Sequence, residues 1–167
     1  MDHRLAGNLS VPGLIERRAA TPEDEPFLFH LYCAVRTHEF ALLPAPVREH
    51  TIRMQYAAQN DGYRSQFPGS GFEIVTLDAV NVGRIWIANL EDSYHLVDIA
   101  ISPSAQGSGI GTALIRELQH EAERAGKPVR CSVFRFNPGS IRFHQRLGFR
   151  PTHEDAIQVY LEWKPGQ

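Results

Sequence analysis

Seven residues, Gln106-Gly107-Ser108-Gly109-Ile110-Gly111-Thr112, separate an apolar strand-like run, Leu96 to Ile101, from a helical pattern that extends to about Ala125. Glycines at every second position let the backbone turn tightly and bring bare N–H groups together. A helix that opens there adds the partial positive charge of its dipole. The junction therefore demands a strand packed beside a helix, and it offers a seat for a phosphate-bearing ligand, with a pyrophosphate as the natural occupant.

The spacing excludes two common occupants. A dinucleotide fold needs Gly-x-Gly-x-x-Gly followed by an acidic residue at the end of the next strand, and a P-loop ends in Gly-Lys-Ser/Thr. Here Gly107, Gly109 and Gly111 are two apart, no lysine follows, and the next strand ends at Phe136-Asn137.

Length and charge narrow the classes further. A chain of 167 residues suits one domain over 1–167, with residues 1–13 read as a flexible lead. A domain of this size buries roughly 70% of its unfolded surface and needs no staple. Net charge is −2 with 22% charged residues, so there is no basic stripe for nucleic acid. No apolar run is long enough to span a membrane, and no export signal precedes the first strand. Cys33 and Cys131 then read as buried thiols in a cytoplasmic setting, and Asn8-Leu9-Ser10 as a chance sequon.

Along the chain, Leu14 to Arg18 is a strand and Thr21-Pro22-Glu23-Asp24 a capped helix start, with its helix running to about His38. Phe40 to Pro46 reads as a loop, and Val47 to Gln66 as a second helix with an interruption at Asp61-Gly62. Phe72 to Leu77, Val80 to Ala88 and His95 to Ile101 form an antiparallel meander, with Gly83 marking a bulge. The next helix shows Ile110, Leu114, Leu118 and Ala122 on one face and stops at Gly126. Val129 to Phe136, a short helix from Pro138 to Leu147 and a last strand from Ile157 to Trp163 complete an α+β order.

One pattern does match the turn: Gln-x-x-Gly-x-Gly at Gln106, Gly109 and Gly111, after Ile101-Ser102-Pro103. A second lies about thirty residues on, where Asn137, Ser140, Phe143 and Gly148-Phe149 stand at the spacing of Asn-x-x-Ala-x-x-Phe-Tyr-x-x-x-Gly-Phe. Together they resemble the GNAT superfamily of acyl-CoA-dependent N-acyltransferases, over a portion covering residues 73–163. The resemblance implies a mixed, mostly antiparallel sheet flanked by helices, with a splayed strand pair holding acyl-CoA. It also implies acetyl-CoA as cosubstrate, an amine as acceptor, no metal, and a homodimer as an option.

Roles for individual residues follow from the same resemblance. The amides of Gln106, Gly107, Ser108, Gly109, Ile110, Gly111 and Thr112 would hold the pyrophosphate. The strand Ile99-Ala100-Ile101 would pair with the pantetheine arm, with a main-chain N–H near Ile99 or Ile101 polarising the thioester. Asn137 would contact the pantetheine or cap its helix, with Ser140 and Phe143 beside it. The family's tyrosine acid is replaced by His144, which stands as a proton donor, a surface histidine or an adenine contact.

A base is sought on His95 and Asp98, which strict alternation places on opposite faces, so that only one sees the pocket. Asp98 also reads as a structural carboxylate paired with a neighbouring strand or loop, and a water chain is a third route for the proton. Tyr32, Arg36, His38, Glu39 and Tyr56 are the acceptor-side candidates. The expected activity is acetyl transfer to a primary amine; the alternative is a non-catalytic acyl-CoA-binding module that has lost its acid.

Overall fold

A computed structural model describes residues 3–4, 13–36 and 44–166. His38, Glu39 and residues 40–43 of the expected loop lie outside them. Eight strands form one sheet: β1 (His3–Arg4), β2 (Ile15–Ala19), β3 (Phe72–Leu77), β4 (Val80–Asn89), β5 (Tyr94–Ile101), β6 (Val129–Phe134), β7 (Arg150–Glu154) and β8 (Gln158–Trp163). Their order is β1-β2-β3-β4-β5-β6-β8-β7, and every pairing is antiparallel except β5 with β6. This is the mixed α+β sheet the sequence leads one to expect. β1 and β7 are additions to it, since His3–Arg4 falls in the segment read as a lead and β7 is exposed throughout.

Among the described residues, four α-helices cover the sheet: α1 (Glu25–Val35), α2 (Ala45–Gln66), α3 (Ile110–Ala125) and α4 (Pro138–Arg146). The α1 entry is built as its sequence suggests. The Asp24 carboxylate accepts from Thr21 N at 2.9 Å and Thr21 Oγ1 at 3.2 Å, while Arg18 grips it with two 2.7 Å bonds. That forked pair holds the Asp24 carboxyl far below the usual carboxylate range. α1 ends at Val35 rather than near His38, and α2 runs through Asp61-Gly62 unbroken, because Tyr56, Asn60 and Tyr63 on either side pack on one face. β6 stops at Phe134, since its partner β8 begins only at Gln158.

The core lies in two layers, one on each face of the sheet. On one, α3 buries Ile110, Leu114, Ile115, Leu118 and Ala122 against Val75, Leu96, Val129 and Leu161. On the other, Leu28, Tyr32 and Tyr56 of α1 and α2 cover Phe72, Ile74 and Trp86. Each large apolar side chain so buried contributes about 1.5–3 kcal/mol. Gly83 sits at a bulge, as expected: Val75 opposes Gly83 and Thr76 opposes Asn81, leaving Val82 unmatched. A Cβ there would stand 2.6 Å from the Ala100 carbonyl oxygen, so only glycine lets β4 and β5 close up.

Leu118, wholly buried under α3, is the sharpest test of this layer. Leu118→Ala is expected to lower unfolding free energy by about 2–5 kcal/mol in a urea titration. A loss below about 1 kcal/mol would show that α3 does not close the core.

Candidate active site

The glycine turn leaves a cluster of free amides. Pro103 to Ala105 form a single 3₁₀ turn, Gln106 N returns to Ser102 O at 3.1 Å, and Gln106 Nε2 donates to Ile101 O at 2.9 Å. Gly107 and Gly109 then take φ of 77° and 88°, a left-handed conformation that side chains resist. Ala113 N makes the first intrahelical bond of α3, to Gly109 O at 2.9 Å. Between them, no amide from Gly107 to Thr112 has an acceptor among the described residues. Six N–H groups therefore lack an acceptor among the described residues at the positive end of a sixteen-residue helix.

Beside this turn the sheet opens. β5 pairs with β6 only from Tyr94 to Leu96, opposite Val129 to Cys131, and from Val97 onward the two strands separate. β6 goes on paired with β8 to Phe134, and β5 with β4 to Ile101. The edge of β5 from Val97 to Ile101, including Ile99 and Ala100, is thus left without a strand partner, and it ends at the glycine turn. The expected splayed pair is this separation.

The expectation that His95 and Asp98 face opposite ways fails, and a bulge is the reason. Trp86 opposes Asp98 and Ile87 opposes Leu96, so Val97 is an extra residue in β5 and the alternation slips by one. The His95 ring lies tilted against Phe67, centre to centre 4.7 Å, and Asp98 binds Arg84, whose guanidinium lies 4.6 Å over Phe72; both therefore sit on the α1–α2 side. Asp98 Oδ2 accepts from Arg84 Nε at 2.8 Å, so it has the structural partner the alternative reading requires. Burial, and then the nearby Arg130 charge, depress the His95 imidazole below its ordinary value and keep it neutral.

Asn137 caps α4, its Oδ1 accepting from Ser140 N at 3.1 Å. Phe143 reaches the glycine turn, with its ring 3.4 Å from where a Gly111 Cβ would lie. His144 is not a surface residue: it is 3% exposed, edge-on to Phe143 and Phe149. Its Nδ1 stands 2.9 Å from Ser140 O. A carbonyl only accepts, so Nδ1 carries the proton and Nε2 of the neutral ring presents a lone pair. That Nε2 is buried with no partner among the described residues.

Sequence reasoning missed Arg84 and Tyr63, which lie near Asp98, and Asn60, which lies beside Tyr56, all on the α1–α2 side. One signal was present: β4 and β5 each hold one charge of opposite sign in an apolar run. Of the acceptor-side candidates, Tyr56 joins Glu25, Phe29, His30, Cys33 and Arg53 around a cavity of about 630 Å³ between α1 and α2. Arg36 donates to the Tyr32 hydroxyl at 3.3 Å. No helix of the described residues is long and apolar enough to cross a membrane.

Residues 34–149 match the family described as Acetyltransferase (GNAT) family. A protein named uncharacterized N-acetyltransferase from Methanocaldococcus jannaschii is 33% identical over 99 residues, covering 54% of this chain and 43% of that one. The L-methionine sulfoximine/L-methionine sulfone acetyltransferase of Salmonella typhimurium is 40% identical over 55 residues, covering 32% of each. The chain thus spans less than half the length of either curated relative. The crystal structure of an N-acetyltransferase from Thermoplasma acidophilum in complex with coenzyme A superposes with a TM-score of 0.68, covering 90% of this chain and 98% of that one at 20% identity. That likeness is one of fold.

The buried imidazole has a pH consequence. Burial pushes His144 below 6.5, against a smaller opposite pull from the Ser140 carbonyl. Between 6.5 and the lower folded value, the unfolded chain binds a proton that the folded one does not, so stability falls as pH drops through that window. His95 shifts the same way. NMR titration is expected to place both midpoints under 6.5, with a lower urea midpoint at pH 5.5 than at pH 7.5. A His144 midpoint above 6.5 would mean that an anion faces Nε2.

Proposed function

The chain belongs to the acetyltransferase (GNAT) family, and on that premise we propose that it is an N-acyltransferase that moves an acetyl group from acetyl-CoA to a primary amine. The observation that carries the reading is the run of six free amides from Gly107 to Thr112, set at the end of a strand edge that has no strand partner beyond Leu96. The amides suit a pyrophosphate. The free edge suits a pantetheine arm, which carries peptide groups able to pair as a strand does. Asn137, Ser140 and Phe143 would flank that arm from α4, and an N–H of Ile99 or Ile101 would polarise the thioester.

In this reading the ammonium of the acceptor gives its proton to His95, which is neutral and able to accept it; water is the alternative carrier. The free amine attacks the thioester carbon, an oxyanion forms, and as the C–S bond breaks the nitrogen gives up a second proton, leaving an amide, with that proton passing to the thiolate of CoA. Asp98 is committed to Arg84 and stands behind His95 as a base. His144 would carry that second proton to the thiolate. Its Nε2 presents a lone pair at neutral pH, so it takes the second proton from the nitrogen of the intermediate before giving it to sulfur, and the anion formed beside it favours the imidazolium in between.

A second reading, an acyl-CoA-binding module without catalysis, is favoured by one observation: a neutral, buried imidazole where the family carries a tyrosine. Calorimetric titration with acetyl-CoA, followed by thiol release over an amine panel, separates the two. Binding with amine-dependent release supports the enzyme. Binding with silence across the panel supports the module, and no binding refutes both.

Two variants refine the site. Gly109→Val forces a β-branched residue into a φ of 88° and puts its methyls among the amides. CoA affinity is expected to fall by at least ~100-fold with far-UV circular dichroism unchanged; an unaltered affinity would move the site elsewhere. His144→Phe should keep CoA affinity and lower kcat by ~10–100-fold. An unchanged kcat would remove His144 from the chemistry.

A further inference from the structure

Three residues past the last pairing of β5 with β6, which is Leu96 with Cys131, stand Ile99 on one side of the opening and Phe134 on the other. The two faces of the sheet are not equally accessible there. Ile99 and Ile101 pack into the α3 layer, together with Val129, Cys131 and Val133 of β6. An acceptor that is to meet the free edge of β5 therefore comes from the other face, the one on which His95 and Asp98 sit. On that face α1 and α2 pack on β3, β4 and Val97 of β5, and their cluster takes in no residue of β6, β8 or β7.

By strand alternation from Val133, Phe134 projects onto this uncovered face. Phe136 joins it, the two rings standing edge-on with centres 5.4 Å apart. Phe134 is 51% exposed and Phe136 74%, although a ring of this size has about 150–250 Å² to bury. A single exposed apolar side chain is ordinary, but two large rings in mutual contact at the rim of an opening form the kind of patch that marks a binding surface. The charges around them are already engaged. Arg130 binds Asp92 and Glu162 at 2.8 and 2.9 Å, Arg135 binds Glu154 at 3.5 Å, and Asp155 accepts from Ile157 N, Gln158 N and the Tyr160 hydroxyl. What remains here to recognise a ligand is apolar contact.

We propose that Phe134 and Phe136 hold the apolar body of the acyl acceptor, which makes the acceptor a small alkyl- or arylalkylamine. With that body against the rings, its amino group is directed over the opening, toward the strand edge assigned above to the acyl donor. A polyamine or an amino alcohol would set polar groups against the rings and gain little from them. This rests on the acetyltransferase reading and names its acceptor class.

The test uses the full chain with acetyl-CoA and a set of amines: phenethylamine, tryptamine and hexylamine against ethanolamine and spermidine. At least one apolar amine is expected to exceed both polar ones by ~tenfold or more in kcat/KM, mainly through KM. The double variant Phe134→Ser/Phe136→Ser alters only exposed rings, so the fold is kept, as far-UV circular dichroism would show. It should bring apolar and polar amines to near equality while CoA affinity, read by calorimetry, is unchanged. Polar amines used as well as the apolar ones by the native chain, or a preference that survives in the variant, would overturn the proposal. So would a native chain that sediments as a dimer beside a variant that sediments as a monomer, since a second copy then covers the rings. Should no amine be acetylated although acetyl-CoA binds, the enzyme reading fails separately. Phenethylamine is then titrated calorimetrically into the CoA-loaded chain. Binding that is lost in the double variant supports the apolar site, and no binding to the native chain overturns it.

Discussion

One extra residue in one strand decides the layout of the candidate site. Val97 bulges out of β5, and at the same point β5 gives up its parallel neighbour β6 while keeping its antiparallel partner β4. Pairing on one side and freedom on the other is costly for a central strand, because backbone groups within a sheet must find partners. The α3 layer meets part of that cost by burying Leu96, Ile99 and Ile101 from one side of β5. What is left is an open edge that ends at the glycine turn. The amides of that turn and the edge of β5 are thus two parts of one opening.

The same bulge reassigns the polar residues. It brings His95 and Asp98 to one side, where α1 and α2 enclose them with Arg84 and a set of aromatic rings. A buried ion pair contributes little to stability on its own, since desolvation offsets its attraction. The pair holds the Arg84 guanidinium against the Phe72 ring. His144, on the α4 side, is placed by packing between two phenylalanines and by a single bond to its own helix. The buried His144 and the half-buried His95 are neutral for the same reason, which is that burial disfavours the charged ring.

Much of this was legible beforehand. The meander, the bulge at Gly83, the Ile110-Leu114-Leu118-Ala122 stripe and the turn itself were readable because each rests on local chemistry: a two-residue period, a missing Cβ, a helical repeat. The cap of α4 by Asn137 was equally local. The errors were of a different kind. β7 has no alternating apolar pattern and exists because β8 offers it an edge. The interruption at Asp61-Gly62 is overridden by packing of Tyr56 and Tyr63 on the sheet. The opposed faces of His95 and Asp98 followed from an alternation that one inserted residue cancels.

The sequence by itself determined the strand–turn–helix junction, the order of the elements and the residue types available for chemistry, because these depend on neighbours a few positions apart. Only the tertiary structure decided that β5 leaves β6 at Val97, that Arg84 and Asp98 meet, and that His144 is buried. Each of those depends on register between segments distant in the chain, and register is set by which side chains the two core layers can bury together.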